Sequence, residues 1–463
     1  MVAAIRISHF FMQDSMSRLF GTDGIRGRAN QPPLTAELAL RAGRAAATVL
    51  ARADRRAPVV IGQDPRRSGD MLSRAAAAGV LSAGLDACLV GVVPTPAVAR
   101  LVVETGAPLG IMISASHNPF EDNGIKMFQA DGFKPDDATE ARIEELILDR
   151  SEAPGNTPVA PGTMRDADDA RERYRRFVAA AVGPLADSGL KVVLDCANGA
   201  ASAVAPGMFR QAGLDLTVIA DHPDGSNIND RCGSQHPETL RCTVTAVGAD
   251  VGLAFDGDAD RVLAVDETGR GLTGDQLIAI FARHMDEKGR LVPRRVVTTV
   301  MSNMGLKLAL EKMGIAQETS AVGDRRVMER MRATGAILGG EDSGHIIFRD
   351  VHTTGDGILS GLRLVQIMAE TGRPLSALAS VMTVLPQVLR NVPVGAKPPI
   401  AEVAAVAEEI RAAEAALAGR GRVLVRYSGT EPLCRVMVEA QSDEAAQRLC
   451  ARIATAVETA IGA

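Results

Sequence analysis

The chain has 463 residues, 46 % of them hydrophobic and 23 % charged, with a net charge of −5. That length suits three or four domains, and the charge balance excludes the basic excess that nucleic acid or a membrane surface would require. No uncharged apolar run approaches the roughly 18 residues of a membrane helix, and residues 1–15 lack the basic start and apolar core of a signal peptide. The cysteines (Cys88, Cys196, Cys232, Cys242, Cys434 and Cys450) are scattered without a CxxC pair. They predict reduced, mostly buried thiols and a cytoplasmic protein.

Residues 18–30, Arg-Leu-Phe-Gly-Thr-Asp-Gly-Ile-Arg-Gly-Arg-Ala-Asn, hold Gly21, Gly24 and Gly27. Such spacing suits close backbone approach to a ligand or a plain surface loop. A helix is predicted over 35–51, with Leu38, Ala42, Ala45 and Val49 at helical spacing. A short strand at 57–62, a Gln-Asp-Pro-Arg-Arg-Ser-Gly turn and an Ala-rich helix from Asp70 come next. Strand, turn and helix repeat from 87–93 through Pro-Thr-Pro to Glu104. The apolar run 108–113 reads as a buried strand entering Ile-Ser-Ala-Ser-His-Asn-Pro-Phe. Pro119 forbids regular continuation and holds Asn118 out of the helical region, so a serine on this turn is placed to expose its hydroxyl. An ordinary polar turn is the plainer alternative.

Residues 152–163 read as a Pro/Gly/Thr-rich loop and 166–182 as a charged helix. The pattern restarts at 190–194, with Asp-Cys-Ala-Asn-Gly and a helix, and again at 295–300, with Met-Ser-Asn-Met-Gly and a helix. Three such openings predict three similar α/β domains with mixed, mostly parallel sheets. The tail differs. A helix over 402–417 ends at Gly419 and Gly421, strands 422–427 and 435–439 flank Ser-Gly-Thr-Glu-Pro, and a last helix starts at Ser442. This is a small α+β C-terminal domain. The expected boundaries are an extension over 1–15, then domains at 16–185, 186–275, 276–388 and 389–463.

Residues 251–261, Val-Gly-Leu-Ala-Phe-Asp-Gly-Asp-Ala-Asp-Arg, run a strand into Asp256, Asp258 and Asp260. Three like charges repel unless a cation neutralises them, and all-oxygen ligands suit Mg²⁺ or Ca²⁺. An EF-hand would have Glu267 at its twelfth position, but its sixth needs Gly and is Arg261, and a strand enters the loop. Mg²⁺ is therefore preferred. Residues 338–348 set Glu, Ser and His on a Gly-rich turn, where a carboxylate could accept sugar hydroxyls. Arg426, Ser428, Gly429, Thr430 and Arg435 surround a turn that could cradle phosphate. Together these parts suit phosphoryl transfer to or from a phosphorylated sugar.

Five motifs then carry a family resemblance: Phe-Gly-Thr-Asp-Gly-Ile-Arg-Gly (20–27), Ile-Ser-Ala-Ser-His-Asn-Pro-Phe (113–120), Asp-Gly-Asp-Ala-Asp-Arg (256–261), Gly-Glu-Asp-Ser-Gly-His (340–345) and Arg-Tyr-Ser-Gly-Thr-Glu-Pro (426–432). The chain resembles the α-D-phosphohexomutases and, within them, the bacterial phosphoglucosamine mutases. Residues 223–238, with Asn227, Asn229, Cys232, Gly233, Ser234, His236 and Pro237, are similar to that branch as well. The resemblance implies four domains around a central cleft and interconversion of glucosamine 6-phosphate and glucosamine 1-phosphate. The route would be a phosphoserine enzyme and a sugar 1,6-bisphosphate, serving UDP-N-acetylglucosamine synthesis.

It implies Ser116 as the phosphorylated serine, which spacing alone does not distinguish from Ser114. It implies Mg²⁺ on Asp256, Asp258, Asp260 and the Ser116 phosphate, and Lys126 as general acid/base. Arg26 and Arg261 would support the phosphoryl group, His345 would assist proton movement, and Glu341 and Ser343 would read sugar hydroxyls. Arg26 and Mg²⁺ are expected to lower the Lys126 value from its ordinary ~10.4. Asp342 stands where that branch is expected to carry Gln, and Met16 begins the usual length. Hexosamine phosphates are the expected partners, with no nucleic acid or membrane, and a homodimer is left open. The rivals are a mutase for glucose or mannose phosphates, a metal-dependent sugar-phosphate phosphatase, and a non-catalytic sensor.

Overall fold

The computed structural model describes residues 19–21, 23–51, 57–149, 160–185, 189–428 and 431–463. The reading of residues 1–15, the Met16 start and most of the loop at 152–163 lie outside them. Four sheets organise the chain, three layered with helices and one small and antiparallel.

The first domain contains β1 (Phe20–Gly21), β2 (Gly24–Arg28), α1 (Ala36–Leu50), β3 (Val59–Gln63), α2 (Gly69–Ser82), β4 (Ala87–Val92), α3 (Thr95–Thr105), β5 (Leu109–Ile113), β6 (Asp122–Gln129), α4 (Asp137–Leu148), β7 (Met164–Asp166) and α5 (Ala170–Val182). Its sheet runs β1-β2-β6-β5-β3-β4-β7. β5, β3, β4 and β7 are parallel, while β6 and β2 join antiparallel at one edge. The Gly-rich segment is thus a strand and not a loop. Gly24 has φ 82, and a Cβ there would lie 2.3 Å from the Ile125 carbonyl, so its glycine serves strand approach. The charged helix begins at Ala170, later than its sequence suggests, because residues 164–166 pair with β4 instead.

The second domain comprises β8 (Lys191–Asp195), α6 (Ala205–Gln211), β9 (Asp215–Ile219), α7 (Glu238–Val247), β10 (Val251–Phe255), β11 (Val262–Asp266) and β12 (Gly271–Leu272), in sheet order β12-β11-β10-β8-β9. The third has α8 (Gly274–Glu287), β13 (Arg295–Thr299), α9 (Met304–Lys312), β14 (Ala316–Ser320), α10 (Asp324–Thr334), β15 (Leu338–Gly340), β16 (Ile346–Phe348), α11 (Gly357–Thr371) and α12 (Leu375–Ala379), in order β14-β13-β15-β16. In the fourth, β17 (Gln387–Pro393), α13 (Ala404–Leu417), β18 (Arg422–Tyr427), β19 (Leu433–Glu439) and α14 (Asp443–Ile461) form an antiparallel β17-β19-β18 sheet covered by helices. α13 ends on Ala418 in the left-handed region, at φ 47, with Gly419 after it. Ser442 caps α14 as its sequence predicts.

One apolar core runs without a break through the first three domains, linking α3 and α5 to β8, β10, α8 and α11. The Tyr174 hydroxyl on α5 donates to both carboxylate oxygens of Asp356 at 2.9 Å, and Asp356 caps α11. The fourth domain has its own core. It is joined to the third by the Met304 amide on Glu439 Oε2 (2.8 Å) and by Arg422, which bridges the Val300 carbonyl (2.6 Å) and Glu439 Oε1 (2.9 Å).

Candidate active site

Three neighbouring strands place the first-domain groups. β5 ends just before Ser114–Ser116, Lys126 stands on β6 opposite Met112, and Arg26 stands on β2 opposite Gly124. Ser116 is buried with φ 54, a left-handed conformation that costs a Cβ-bearing residue of order 1 kcal/mol. The two serines separate clearly. Ser114 Oγ donates to Asp64 (2.6 Å) and accepts the Ser116 amide (2.9 Å), so it belongs to the turn's scaffold. Ser116 Oγ donates to Asp256 Oδ2 at 2.5 Å.

Asp256, Asp258 and Asp260 occupy the loop between antiparallel β10 and β11, with Phe255 paired to Val262. Other domains pin its backbone. The Asp258 carbonyl accepts the Thr95 amide (2.9 Å), and the Ala259 carbonyl accepts the Gly357 amide (3.0 Å). One oxygen from each carboxylate lies within 4.8 Å of the others. Asp258 Oδ1 and Asp260 Oδ1 are buried without a hydrogen-bond partner among the described residues. Burial, Asp260 and Asp258 together hold Asp256 well above the usual carboxylate range. Buried carboxylate oxygens that are short of donors and that repel one another fit a hard divalent cation. Glu267 is not part of this set: it accepts from Ser376, which rules out an EF-hand.

Lys126 is 1 % exposed and contacts Asp258 (2.7 Å), Asp23 (2.9 Å) and Asp260 (3.5 Å). The protein's own side chains do not by themselves give the expected lowering of its value. Burial favours the neutral amine, but Asp23, Asp258 and Asp260 outweigh it and hold the ammonium well above its ordinary value. Asp23 also pairs with Arg26 (2.5 Å) and Lys134, and Lys134 reaches across to Asp324 in the third domain. Arg261 lies along Asp260 (3.7 Å), and its guanidinium is 3.4 Å from His117 Nδ1. His117 Nδ1 is 3.3 Å from Ser116 Oγ, and burial, Arg261 and Arg26 hold that imidazole below its ordinary value.

A cleft of about 400 Å³ opens over these groups, lined among others by Arg26, Arg261, Asp324, Glu341, Ser343 and His345. Glu341 and His345 bracket the turn between β15 and β16. Glu341 Oε1 accepts the Gly323 amide (3.0 Å), and His345 is buried 3.8 Å from Asp324 and 4.0 Å from Asp260. Ser343 and Asp342 are exposed.

Models for all four domains of one family match the chain: phosphoglucomutase/phosphomannomutase domain I over residues 17–154, domain II over 172–270, domain III over 273–385 and the C-terminal domain over 389–456. A phosphoglucosamine mutase of Syntrophus aciditrophicus is 50 % identical over 449 residues, covering 96 % of this chain and 100 % of its own. That of a Mycobacterium species (strain KMS) is 53 % identical over 446 residues, covering 96 % and 99 %. The chain belongs to the phosphoglucomutase/phosphomannomutase family. A solved member of that family from Burkholderia thailandensis superposes with a TM-score of 0.79 at 25 % identity, covering 96 % of this chain and 98 % of its own.

Against the family's motifs, the structure gathers Ser116, Lys126, Arg26, Arg261, His345, Glu341, Ser343 and the three aspartates around one cleft. It leaves the phosphate loop apart. Gly429 and Thr430 lie outside the described residues. Ser428 is buried, its Oγ accepting the Glu431 amide (3.3 Å), and Arg435 pairs with Glu431 (3.3 Å). Arg426 and Arg435 stand opposite one another on β18 and β19, so their side chains share a sheet face. Among the described residues, the hydrogen bonds and ion pairs of this loop stay within the fourth domain. Sequence reasoning missed Asp23, Lys134, Asp324 and His117 in the cleft, and Lys397, which donates to the Ser428 (2.8 Å) and Glu431 (2.9 Å) carbonyls behind the loop. Asp23 lies in the 20–27 motif and His117 in the 113–120 motif, and their charge or ring near Arg26 and Ser116 is the available signal.

Proposed function

We propose that this protein interconverts glucosamine 6-phosphate and glucosamine 1-phosphate through a phosphorylated Ser116 and a glucosamine 1,6-bisphosphate. The observation that carries this is Ser116 Oγ, at 2.5 Å from Asp256 in a buried aspartate triad whose Asp260 lines the cleft. The phosphoglucosamine mutases that it matches at about half identity support the choice of sugar. Asp256, Asp258, Asp260 and an oxygen of the Ser116 phosphate would hold Mg²⁺, which when bound offsets charge on the phosphoryl group. All six cysteines are free thiols, which suits the reducing cytoplasm to which we assign the protein.

The chemistry at the chain's own atoms follows. As the Ser116 Oγ–phosphorus bond breaks, a bond forms from phosphorus to the sugar hydroxyl oxygen, and the hydroxyl proton ends on Ser116 Oγ. Lys126 relays it. Starting as an ammonium, it gives a proton to the departing Ser116 oxygen and takes one from the sugar hydroxyl. Arg26 and Arg261 steady the phosphoryl oxygens, and His345 assists that proton. Glu341 and Ser343 read the sugar hydroxyls. Arg426, Ser428, Gly429, Thr430 and Arg435 take the phosphate that is not reacting, whichever carbon bears it.

A coupled assay for glucosamine 1-phosphate formed from glucosamine 6-phosphate tests the reading, together with intact mass and Ser116→Ala. One phosphate on Ser116, loss of nearly all turnover in the variant, and loss after EDTA treatment are expected. Full activity in Ser116→Ala would end the covalent mechanism. Comparable kcat/KM for glucose and mannose phosphates would end the assignment of the sugar.

A further inference from the structure

Ser116 belongs to the first domain and the triad to the second, so contacts crossing that boundary set the distance between them. Thr95 and Lys126 tie neighbouring first-domain elements to Asp258, but the direct tie from the Ser116 side chain is Oγ to Asp256 Oδ2, and it needs the hydroxyl hydrogen. A phosphoserine has no such hydrogen, and its charge opposes a carboxylate. That contact therefore serves only the dephosphorylated half of a cycle.

A second tie does not depend on the hydroxyl. Asn229 Nδ2, on the second-domain loop 220–237, donates at 3.0 Å to the Ser116 carbonyl and at 3.0 Å to the Asn118 carbonyl. Arg66 Nη2 donates to the same two carbonyls from the first domain, at 2.9 and 2.8 Å. Asn229 is 9 % exposed and Arg66 1 %, so neither faces solvent to any extent. The loop under Asn229 is anchored to the metal strand's neighbour. Its amide donates to the Ala197 carbonyl (2.9 Å), and Asp195, at the end of β8, accepts the Ala197 and Gly233 amides, both at 2.9 Å. Asn229 therefore travels with the sheet that carries the triad. A carboxamide gripping backbone carbonyls is indifferent to what Ser116 Oγ carries.

We infer that Asn229 is a positioning residue that keeps Ser116 against the triad while the serine bears its phosphate. The inference rests on the phosphoserine reading above. Without Asn229, Arg66 still fixes the turn to the first domain, so the serine is phosphorylated but presents its phosphate to the cleft in more than one orientation.

Asn229→Gly is the clean deletion, because φ 59 at this position suits glycine. Asn229→Asp keeps the shape but offers oxygens to two carbonyls. Both variants are assayed with glucosamine 6-phosphate and primed with glucose 1,6-bisphosphate, alongside thermal melts, intact mass and ³¹P NMR of the phosphoenzyme. Expected are a fall in kcat of about ten- to a hundredfold and a KM within about twofold of wild type. The phosphorylated fraction should stay at the wild-type level, with a displaced and broadened phosphoserine ³¹P line. Wild-type kcat in Asn229→Gly would overturn the inference. So would a lower kcat that only follows a lower melting temperature, with the ³¹P line unmoved. If the wild-type protein takes up no phosphate, the phosphoserine reading falls first, so the two failures are distinguishable.

Discussion

Replacing Arg66 by methionine should destabilise the protein in a way that depends on pH. Arg66 and Asp64 are 1 % and 0 % exposed, and Arg66 Nε meets Asp64 Oδ2 at 3.0 Å. In Arg66→Met, Asp64 keeps the Ser114 hydroxyl (2.6 Å) and the amide of residue 66 (3.0 Å) but loses its cation. The Ser116 and Asn118 carbonyls keep Asn229, and the Pro119 carbonyl keeps only the Asp122 amide (3.2 Å). Breaking a buried pair from one side costs about 3–5 kcal/mol. Unfolding entropy of ~2.1 cal/mol/K per residue, over roughly 370 residues sharing a continuous core, gives ~0.8 kcal/mol/K and a Tm loss of about 4–6 °C. Burial already raises Asp64 above its ordinary value in spite of Arg66. A carboxyl raised in the folded state contributes stability below its unfolded value and loses it as pH rises through the folded value. Losing Arg66 raises Asp64 further, so the deficit should be larger near pH 8 than near pH 5. Calorimetry at both values, with Asp64→Asn added to Arg66→Met, measures this, and the double variant should recover part of the loss at the higher pH. A Tm within about 1 °C of wild type, or a deficit that shrinks as pH rises, would refute the argument.

Lys126→Arg keeps the charge but cannot cycle a proton, so kcat should fall by about a hundredfold or more with the phosphorylated fraction intact. Near-normal turnover would leave Lys126 only a pairing role. Arg426→Ala should lower kcat/KM about ten- to a hundredfold in both reaction directions, the loss of one charge-assisted contact of ~1.5–3 kcal/mol. Damage in one direction alone would show that the loop is not a shared phosphate site. Tyr174→Phe removes a donor from Asp356, which burial holds at about 6 against the opposing Leu359 amide and Tyr174 hydroxyl. Asp356 should rise further, and the variant should lose about 1–3 kcal/mol, more above that value than below it, in denaturant titrations across pH. An equal loss at all pH values would mean that Asp356 does not titrate with folding.

What could be read from the chain was whatever depends on neighbours in sequence. Strand, turn and helix around residues 58, 87, 191 and 295 follow from periodicity and punctuation, and the aspartate triplet follows from alternate spacing on one loop. What could not be read depends on segments far apart meeting. Ser116 is set apart from Ser114 by which carboxylate each reaches, Asp256 or Asp64, and neither partner is close in the chain. Gly24 reads as a residue for ligand approach or for a loop because its purpose, the close approach of β2 to β6, needs a strand about a hundred positions on. The upward pull on Lys126 is likewise illegible in the sequence, because Asp23 reads as part of a Gly-rich segment, whereas folding brings its carboxylate to 2.9 Å from the amine.

The arrangement of cores also constrains how the chain can be made. A ribosome releases β8 and β10 long before α11, yet α11 packs on both α5 and the β10–β11 pair. The growing chain therefore leaves the apolar face that its first three domains share uncovered until about residue 371 has emerged, although the opposite face of the first sheet closes with α1, α2 and α4 alone. The last domain, whose apolar residues pack among themselves, can fold as a separate event after synthesis is nearly done. Truncations that end inside the third domain should consequently be captured by chaperones or aggregate, whereas one that stops just before β17 should remain a soluble, folded three-domain body.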